Sequence, residues 1–395
     1  MALDAKAERL TQPEVAGGAR RSNTQQAILL LSRVWSWVFL VMLLVYFSAA
    51  GTGFFSLRNS QNILVASVPI ILMGLGQTFV IISGGIDLSV GWVMGLASVV
   101  SALIMRDVIP DQPVEVQVPL AFVAGLGVAG LAGLINGLIT AKLHVPPFIV
   151  TLGVSFVARG AAWVLAEGNV VAGQPPQLRS LGNESLFYVV RGDEGGFYFN
   201  LGALRGISDE VCTVLNGHLC RPELSGAALR GLDRVFTWPV VITFVVLLVL
   251  AFVLRRTQFG RYTYAIGGNR EAALRAGVPV DRHIIMLYIL SAMTAGLAGV
   301  LHTARFSGGA ADSGDALMFT AIAAVVMGGV SLFGGAGRVA GTLVGALILA
   351  VLETGLVMIN VQTFYKYIVV GIIVVVAVLM DQARDLITGR AETVA

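Results

Sequence analysis

Ten runs with few or no charged residues recur along the chain, at 35–50, 63–82, 88–105, 119–141, 148–166, 237–254, 284–302, 317–333, 339–359 and 364–380. Each approaches the roughly 20 residues a helix needs to cross the hydrocarbon core of a bilayer. Such runs leave little choice of fold, because inside lipid every backbone N–H and C=O must be satisfied within the protein, which only helices and closed barrels achieve. Barrel strands alternate apolar and polar residues over about ten positions, and these runs do not alternate. The expected fold class is an all-α polytopic membrane protein of about ten transmembrane helices. The run 317–333 is short enough to be a broken or re-entrant segment. Composition agrees: 12% of the residues are charged, against about 25% in an ordinary soluble domain.

The first 25 or so residues are polar, and the first apolar run is longer and later than a signal-peptide core. The tail 1–30 is therefore expected to be retained and cytoplasmic. With the amino terminus inside, most Lys and Arg fall in inner segments, among them Arg33, Lys142, Arg255, Arg256, Arg261, Arg270, Arg275, Arg282, Arg338 and Arg384. The short outer loops hold only Arg58, Arg106 and Arg305, with Lys366 at the start of the last run. The positive-inside rule selects this orientation, and ten spans return the tail 382–395 to the cytoplasm. The net charge of +3 thus reflects topology, and the scattered basic residues do not make a nucleic-acid surface.

Two transmembrane halves are expected, 31–166 and 237–381, separated by a polar external insert at 167–236. Both cysteines of the chain, Cys212 and Cys220, lie in that insert, and an even count confined to an outer segment favours a disulfide. A weak internal echo links the halves: G-G-I-D-L-S-V-G at 84–91 and G-G-V-S-L-F-G-G at 328–335 both follow an apolar run in the same orientation. Repeated halves are common in transporter folds. Gly125, Gly130, Gly133 and Gly137, and the pair Gly341 and Gly345, share helical faces that let helices approach closely.

The chemistry that is missing narrows the function. None of Lys6, Lys142 and Lys366 sits in a phosphate-binding loop, so ATP would have to be hydrolysed by another protein. His144, His218, His283 and His302 have no metal-ligand spacing, and no catalytic elbow or carboxylate pair appears, so neither a metal site nor an enzymatic site is expected. Ion-coupled transporters need ionisable residues within the membrane, and Asp87, Arg159 and Glu353 form only a sparse set. Asp87 follows a glycine pair and is placed to cap the third span through its carboxylate. Arg159, inside the fifth span, must reach water, a carboxylate or backbone carbonyls.

The largest inner loop, 255–283, has a short helix written into it. Asn269 is an N-cap, Glu271 suits the positive end of the helix dipole, Ala272 to Leu274 favour helix, and Gly277 is a stop. A helix lying along the inner face is what a membrane subunit needs to seat in a motor subunit. The run 260–277, G-R-Y-x-Y-A-I-G-G-N-x-E-A-A-x-x-A-G, resembles the coupling loop of bacterial ABC permeases for ribose, xylose, galactosides and related monosaccharides. Four further stretches agree in order: I-S-G-G-I-D-L-S-V-G at 82–91, P-F-I-V-T-L-G with a later R-G at 147–160, A-I-A-A-V-V-M-G-G at 321–329 and V-A-G-T-L-V-G-A-L-I-L at 339–349.

The resemblance implies an ABC importer permease fold in a bacterial inner membrane, present as a homodimer with a second copy of the chain. It also implies a cytoplasmic ATPase with two nucleotide-binding domains that uses ATP and Mg, none of it bound by this chain, and an external binding protein that delivers a sugar or polyol such as a pentose, hexose or inositol. Gly267, Gly268, Asn269, Arg270, Glu271, Ala272, Arg275 and Gly277 would couple to the ATPase. Asp87, Ser89, Asn136, Phe148, Thr151, Arg159 and Glu353 are the candidates for the substrate pathway. The chain departs from the family where Met318-Phe319-Thr320 replaces a common Glu-Leu-Asp and where Glu353 replaces a frequent Asn. The competing readings are a permease for nucleosides or branched-chain amino acids, an ion-coupled secondary transporter, and a membrane scaffold or sensor.

Overall fold

The structure, a computed structural model, describes residues 23–190, 196–199, 212–213 and 232–362, with 364–365, 368–372 and 375–376 of the last run; at 23–34, 188–190, 196–199, 212–213 and 232–234 it describes the backbone alone. The chain divides into two units, Met1–Trp35 with Gln382–Ala395, and Ser36–Asp381, and the architecture below is that of the second.

Helix α1 (Asn23–Ala50) is followed by α2 (Leu57–Ile82), α3 (Val90–Leu103, continued by a wider turn at Ile104–Val108), α4 (Val114–Lys142) and α5 (Pro147–Leu165). The insert supplies α6 (Pro176–Asn183) and strands β1 (Ser185–Val190), β2 (Gly196–Phe199), β3 (Cys212–Thr213) and β4 (Leu232–Thr237). The second half contains α7 (Trp238–Arg256), α8 (Gln258–Gly268), α9 (Arg270–Arg275), α10 (Val280–Phe306), α11 (Asp315–Met327) and α12 (Val339–Met358). Among the described residues seven of these helices, α2, α3 with its extension, α4, α5, α7, α10 and α12, are long and apolar enough to cross a membrane. Shorter apolar helices lie at Trp35–Ala50 and Asp315–Met327, and part of the tenth run falls outside the described residues.

The eighth run is the short one expected, but it ends sooner. At 1.5 Å per residue α11 spans only about 20 Å, short of the roughly 30 Å hydrocarbon core. Gly328 caps it, and residues 328–338 form a connection in which Gly329, Gly334, Gly335 and Gly337 adopt positive φ, a conformation other residues reach only at a cost.

The core is built around α2 and α10, with α3 and α4 packed on α10 and with α11 and α12 packed on α2. Glycines let α4 approach α10 to backbone distance: a Cβ at Gly137 would stand 2.7 Å from the Cα of Ile285, and one at Gly133 would strike the Tyr288 carbonyl. Gly341 and Gly345 likewise lie on the backbone of α11 at Gly328 and Ala324.

The internal echo has a structural counterpart, shifted by one residue. After α2, Gly84 N–H donates to Ile81 O at 2.9 Å and Gly85 N–H to Val80 O at 3.0 Å. After α11, Gly329 N–H donates to Val326 O at 2.8 Å and Val330 N–H to Val325 O at 3.3 Å. Gly84 and Gly329 both have positive φ, so the two helices end in the same glycine-terminated geometry.

The insert departs from an all-α architecture. Its strands form a four-stranded antiparallel sheet in the order β3-β2-β1-β4, with Phe187 opposite Phe199 on one side and Val235 on the other. Phe, Tyr and Val in 185–190 and 196–199 favour extended backbone, in runs too short to stand out against the glycine and charge around them. The start of the insert is docked on α10: Leu178 is buried, Asn183 Nδ2 donates to Arg305 O at 2.8 Å, and Val171 pairs with Gly309. The expected Cys212–Cys220 disulfide involves Cys220, which lies outside the described residues.

Candidate functional site

The inner loop folds as its residues direct. Asn269 Oδ1 accepts from Ala272 N–H at 2.9 Å at the start of α9, and Gly277, at φ +80°, closes its end. Ala273 and Val278 are buried against the body, whereas Leu274, Ala272, Glu271 and Arg275 face outward, Leu274 at 63% exposure. Arg270 and Lys142 both reach Asp281, at 4.0 and 3.2 Å, which ties the base of α9 to α4 and α10. Among the described residues nothing covers Leu274, which stands on a capped turn.

Helix α8 fixes α9 to the membrane body. Phe259 packs against the His283 ring, centroid to centroid at 4.4 Å, and approaches Phe79 of α2 at 6.0 Å. Thr263 Oγ1 hydrogen-bonds His283 Nε2 at 2.9 Å, and Gly260 lies on the Leu254 carbonyl of α7. The Tyr264 hydroxyl donates to Gly337 O at 2.7 Å; burial raises its pKa, against a smaller opposing effect of Arg338, so it remains a donor.

At the end of α8 three glycine segments meet, backbone to backbone. Gly335 N–H donates to Ile82 O at 2.8 Å. Gly267 lies against both groups so closely that a Cβ there would collide with the Ile82 carbonyl and stand 2.6 Å from Gly335 N, and a Cβ at Gly334 would stand 3.2 Å from Gly84 Cα. The inner loop therefore touches the ends of both echoed segments at one point. Sequence reasoning found Gly267 and missed Gly334 and Gly335; the repetition of Gly-Gly after two apolar runs was the signal that could have found them.

Between α2 and α3 a polar cluster gathers four of the seven pathway candidates. Asp87, fully buried, accepts through Oδ1 from Ser89 N–H at 2.9 Å and Ser89 Oγ–H at 2.6 Å, and through Oδ2 from Ser291 Oγ–H at 2.9 Å. Asn136 Nδ2 donates to Ser89 Oγ at 2.8 Å, Gln77 Nε2 donates to the Asp87 carbonyl, and Leu88 N–H donates to Thr151 Oγ1 at 3.1 Å. Gln77 Oε1, Asn136 Oδ1 and the Tyr288 hydroxyl are buried there without a hydrogen-bond partner.

One expectation needs correction. The carboxylate of Asp87 braces its own turn rather than capping the span: the residue at the cap of α3 is Ser89, with no side-chain cap bond. Arg159 is exposed, and its guanidinium stands 4.7 Å from the centroid of the buried Trp92 ring, an aromatic face that attracts a cation. Phe148 is exposed at the first turn of α5, and Glu353 is half-buried in the second half of α12. Gln77 and Ser291, which complete the cluster, sit in apolar runs and carried no signal of their own.

The family described as "Branched-chain amino acid transport system / permease component" matches residues 59–378. The chain is 35% identical over 347 residues to the ribose import permease protein of Bacillus subtilis (strain 168), covering 88% of this chain and 91% of that protein. It is 32% identical to the fructose import permease protein of Rhizobium meliloti, covering 87% and 84%, and 33% identical to the xylose transport system permease protein of Escherichia coli (strain K12), covering 87% and 90%. No solved structure matches the chain at a significant level.

Proposed function

The chain belongs to the family of branched-chain amino acid transport system permease components, and on that premise we propose that it is the channel-forming subunit of an ATP-driven, binding-protein-dependent importer of a monosaccharide. The relatives named for ribose, fructose and xylose favour a sugar over the amino acids of the family description. Two copies of the chain face each other in a bacterial inner membrane with both termini inside. A separate ATPase with two nucleotide-binding domains binds ATP and Mg on the cytoplasmic side, and an external binding protein delivers the sugar.

The observation that carries this reading is the join between the end of α8, which leads into α9, and the two glycine segments. A motor pressing on the exposed face of α9 moves α8 as a rigid piece through the Phe259, Thr263 and Tyr264 contacts. The push reaches the end of α2 and the connection between α11 and α12 together through Gly267, Gly334 and Gly335. The Asp87 cluster follows α2 directly and spans α3, α4 and α10. Its unpartnered amide oxygens and phenol are groups that a passing hydroxylated solute can satisfy.

The test is Ala272→Arg, which puts a bulky charge on the docking face of α9. The expected result is a permease that still inserts but no longer retains its ATPase on purification and no longer supports uptake of ribose, xylose or fructose. Retention of both would show that α9 is not the docking element.

A further inference from the structure

Towards the other end of α10 a cavity of about 230 Å³ opens between α2, α7, α10 and the start of α11. Its polar wall originates in Pro69, in the interior of α2. Proline has no N–H, so the Val65 carbonyl one turn earlier loses its helical donor, and Arg305 Nη1 donates to it at 3.4 Å. That bond holds one edge of the guanidinium and leaves further N–H donors along the wall. The guanidinium also lies over the Phe306 ring, 5.1 Å from its centroid, and the His302 ring packs against the same phenyl at 4.5 Å. His302 Nδ1 and Ser313 Oγ, both at this cavity, are buried with no hydrogen-bond partner.

Buried polar atoms in folded proteins are almost always paired, so two orphans on one cavity wall mark places for the polar groups of a ligand. The remaining walls are apolar, with Leu301, Val68 and Leu317 among them. The volume falls below the roughly 300 Å³ at which drug-sized pockets begin, which suits one small ring. No Asp or Glu is among the lining residues, so the ammonium of an amino acid would find no counter-charge. A monosaccharide matches on every count: its C–H face can lie on apolar carbon while its hydroxyls both donate and accept.

We propose that this cavity is a monosaccharide-binding site at the outer end of the permease, formed by His302, Arg305, Phe306 and Ser313, where the sugar rests before reaching the Asp87 cluster. The proposal depends on the importer reading and its orientation, and the test separates the two. The Ser313→Cys permease, with its ATPase in lipid nanodiscs and without binding protein, is labelled with a maleimide in the presence of saturating D-ribose, D-xylose, D-fructose or L-leucine; uptake of the same solutes is measured in cells carrying the whole importer. A sugar that the cells take up is expected to slow labelling severalfold, leucine is not, and adding His302→Ala should abolish the protection while labelling persists. In cells that transport a sugar, failure to label, labelling indifferent to that sugar, or protection by leucine would overturn the site. Uptake of none of the three sugars would instead overturn the importer reading, and the site with it.

Discussion

Gly267 and Gly268 are adjacent and make opposite demands. A Cβ at 267 collides with the Ile82 carbonyl, while one at 268 meets nothing within 4 Å. Gly267→Ala is therefore expected to overpack the junction, at a cost of about 1–3 kcal/mol, and to lower uptake sharply at equal membrane abundance, whereas Gly268→Ala should transport as the parent does. Equal effects in the two variants would show that the backbone contact does not matter. At Asp87 the hydrogen bonds set the order of substitution: Asn keeps an acceptor for Ser89 and can face the Ser291 hydroxyl, so Asp87→Asn should retain most transport. Asp87→Leu strands both serines at roughly 1–3 kcal/mol for each unsatisfied group and should fail to assemble, judged by its yield in mild detergent. Asp87, Ser89, Asn136 and Thr151 were legible only as separate candidates, and their meeting is a product of helix packing. Gln77, Ser291 and the Arg159–Trp92 stack were not legible, because they depend on which helices become neighbours.

Helices were read well where the residues act locally. The cap at Asn269, the stop at Gly277 and the apolar length of the spans all follow from nearest neighbours along the chain. The glycine face of α4 was legible for the same reason, though its partner was not: Gly133 and Gly137 meet α10, while Gly130 has only the flexible Met293 side chain at 3.7 Å. Gly133→Val should therefore separate α4 from α10 and lower thermal stability in detergent, and Gly130→Ala should leave it unchanged; equal melting of the two would deny that α4 and α10 depend on this contact. The sheet of the insert escaped the sequence because its strands are short and its pairing, Phe187 with Phe199 and Val235, joins residues far apart in the chain.

At the scale of the molecule, a multi-pass membrane protein of a permease family joins the proposed docking turn α9, through α8, to the α2 and α10 helices that border its polar cluster. The inner loop meets the end of α2 and the connection between α11 and α12 at one glycine junction, the Asp87 cluster begins where α2 ends, and the His302 cavity lies farther along α2 and α10. That series of sites supports the proposal that a separate ATPase drives the importer. The most direct test is sugar accumulation in liposomes holding the permease, its ATPase and its binding protein. The account predicts that ribose, xylose or fructose accumulates only while ATP is hydrolysed, is indifferent to ionophores and is lost in Gly267→Ala; accumulation without ATP that collapses with a proton or sodium gradient would contradict it.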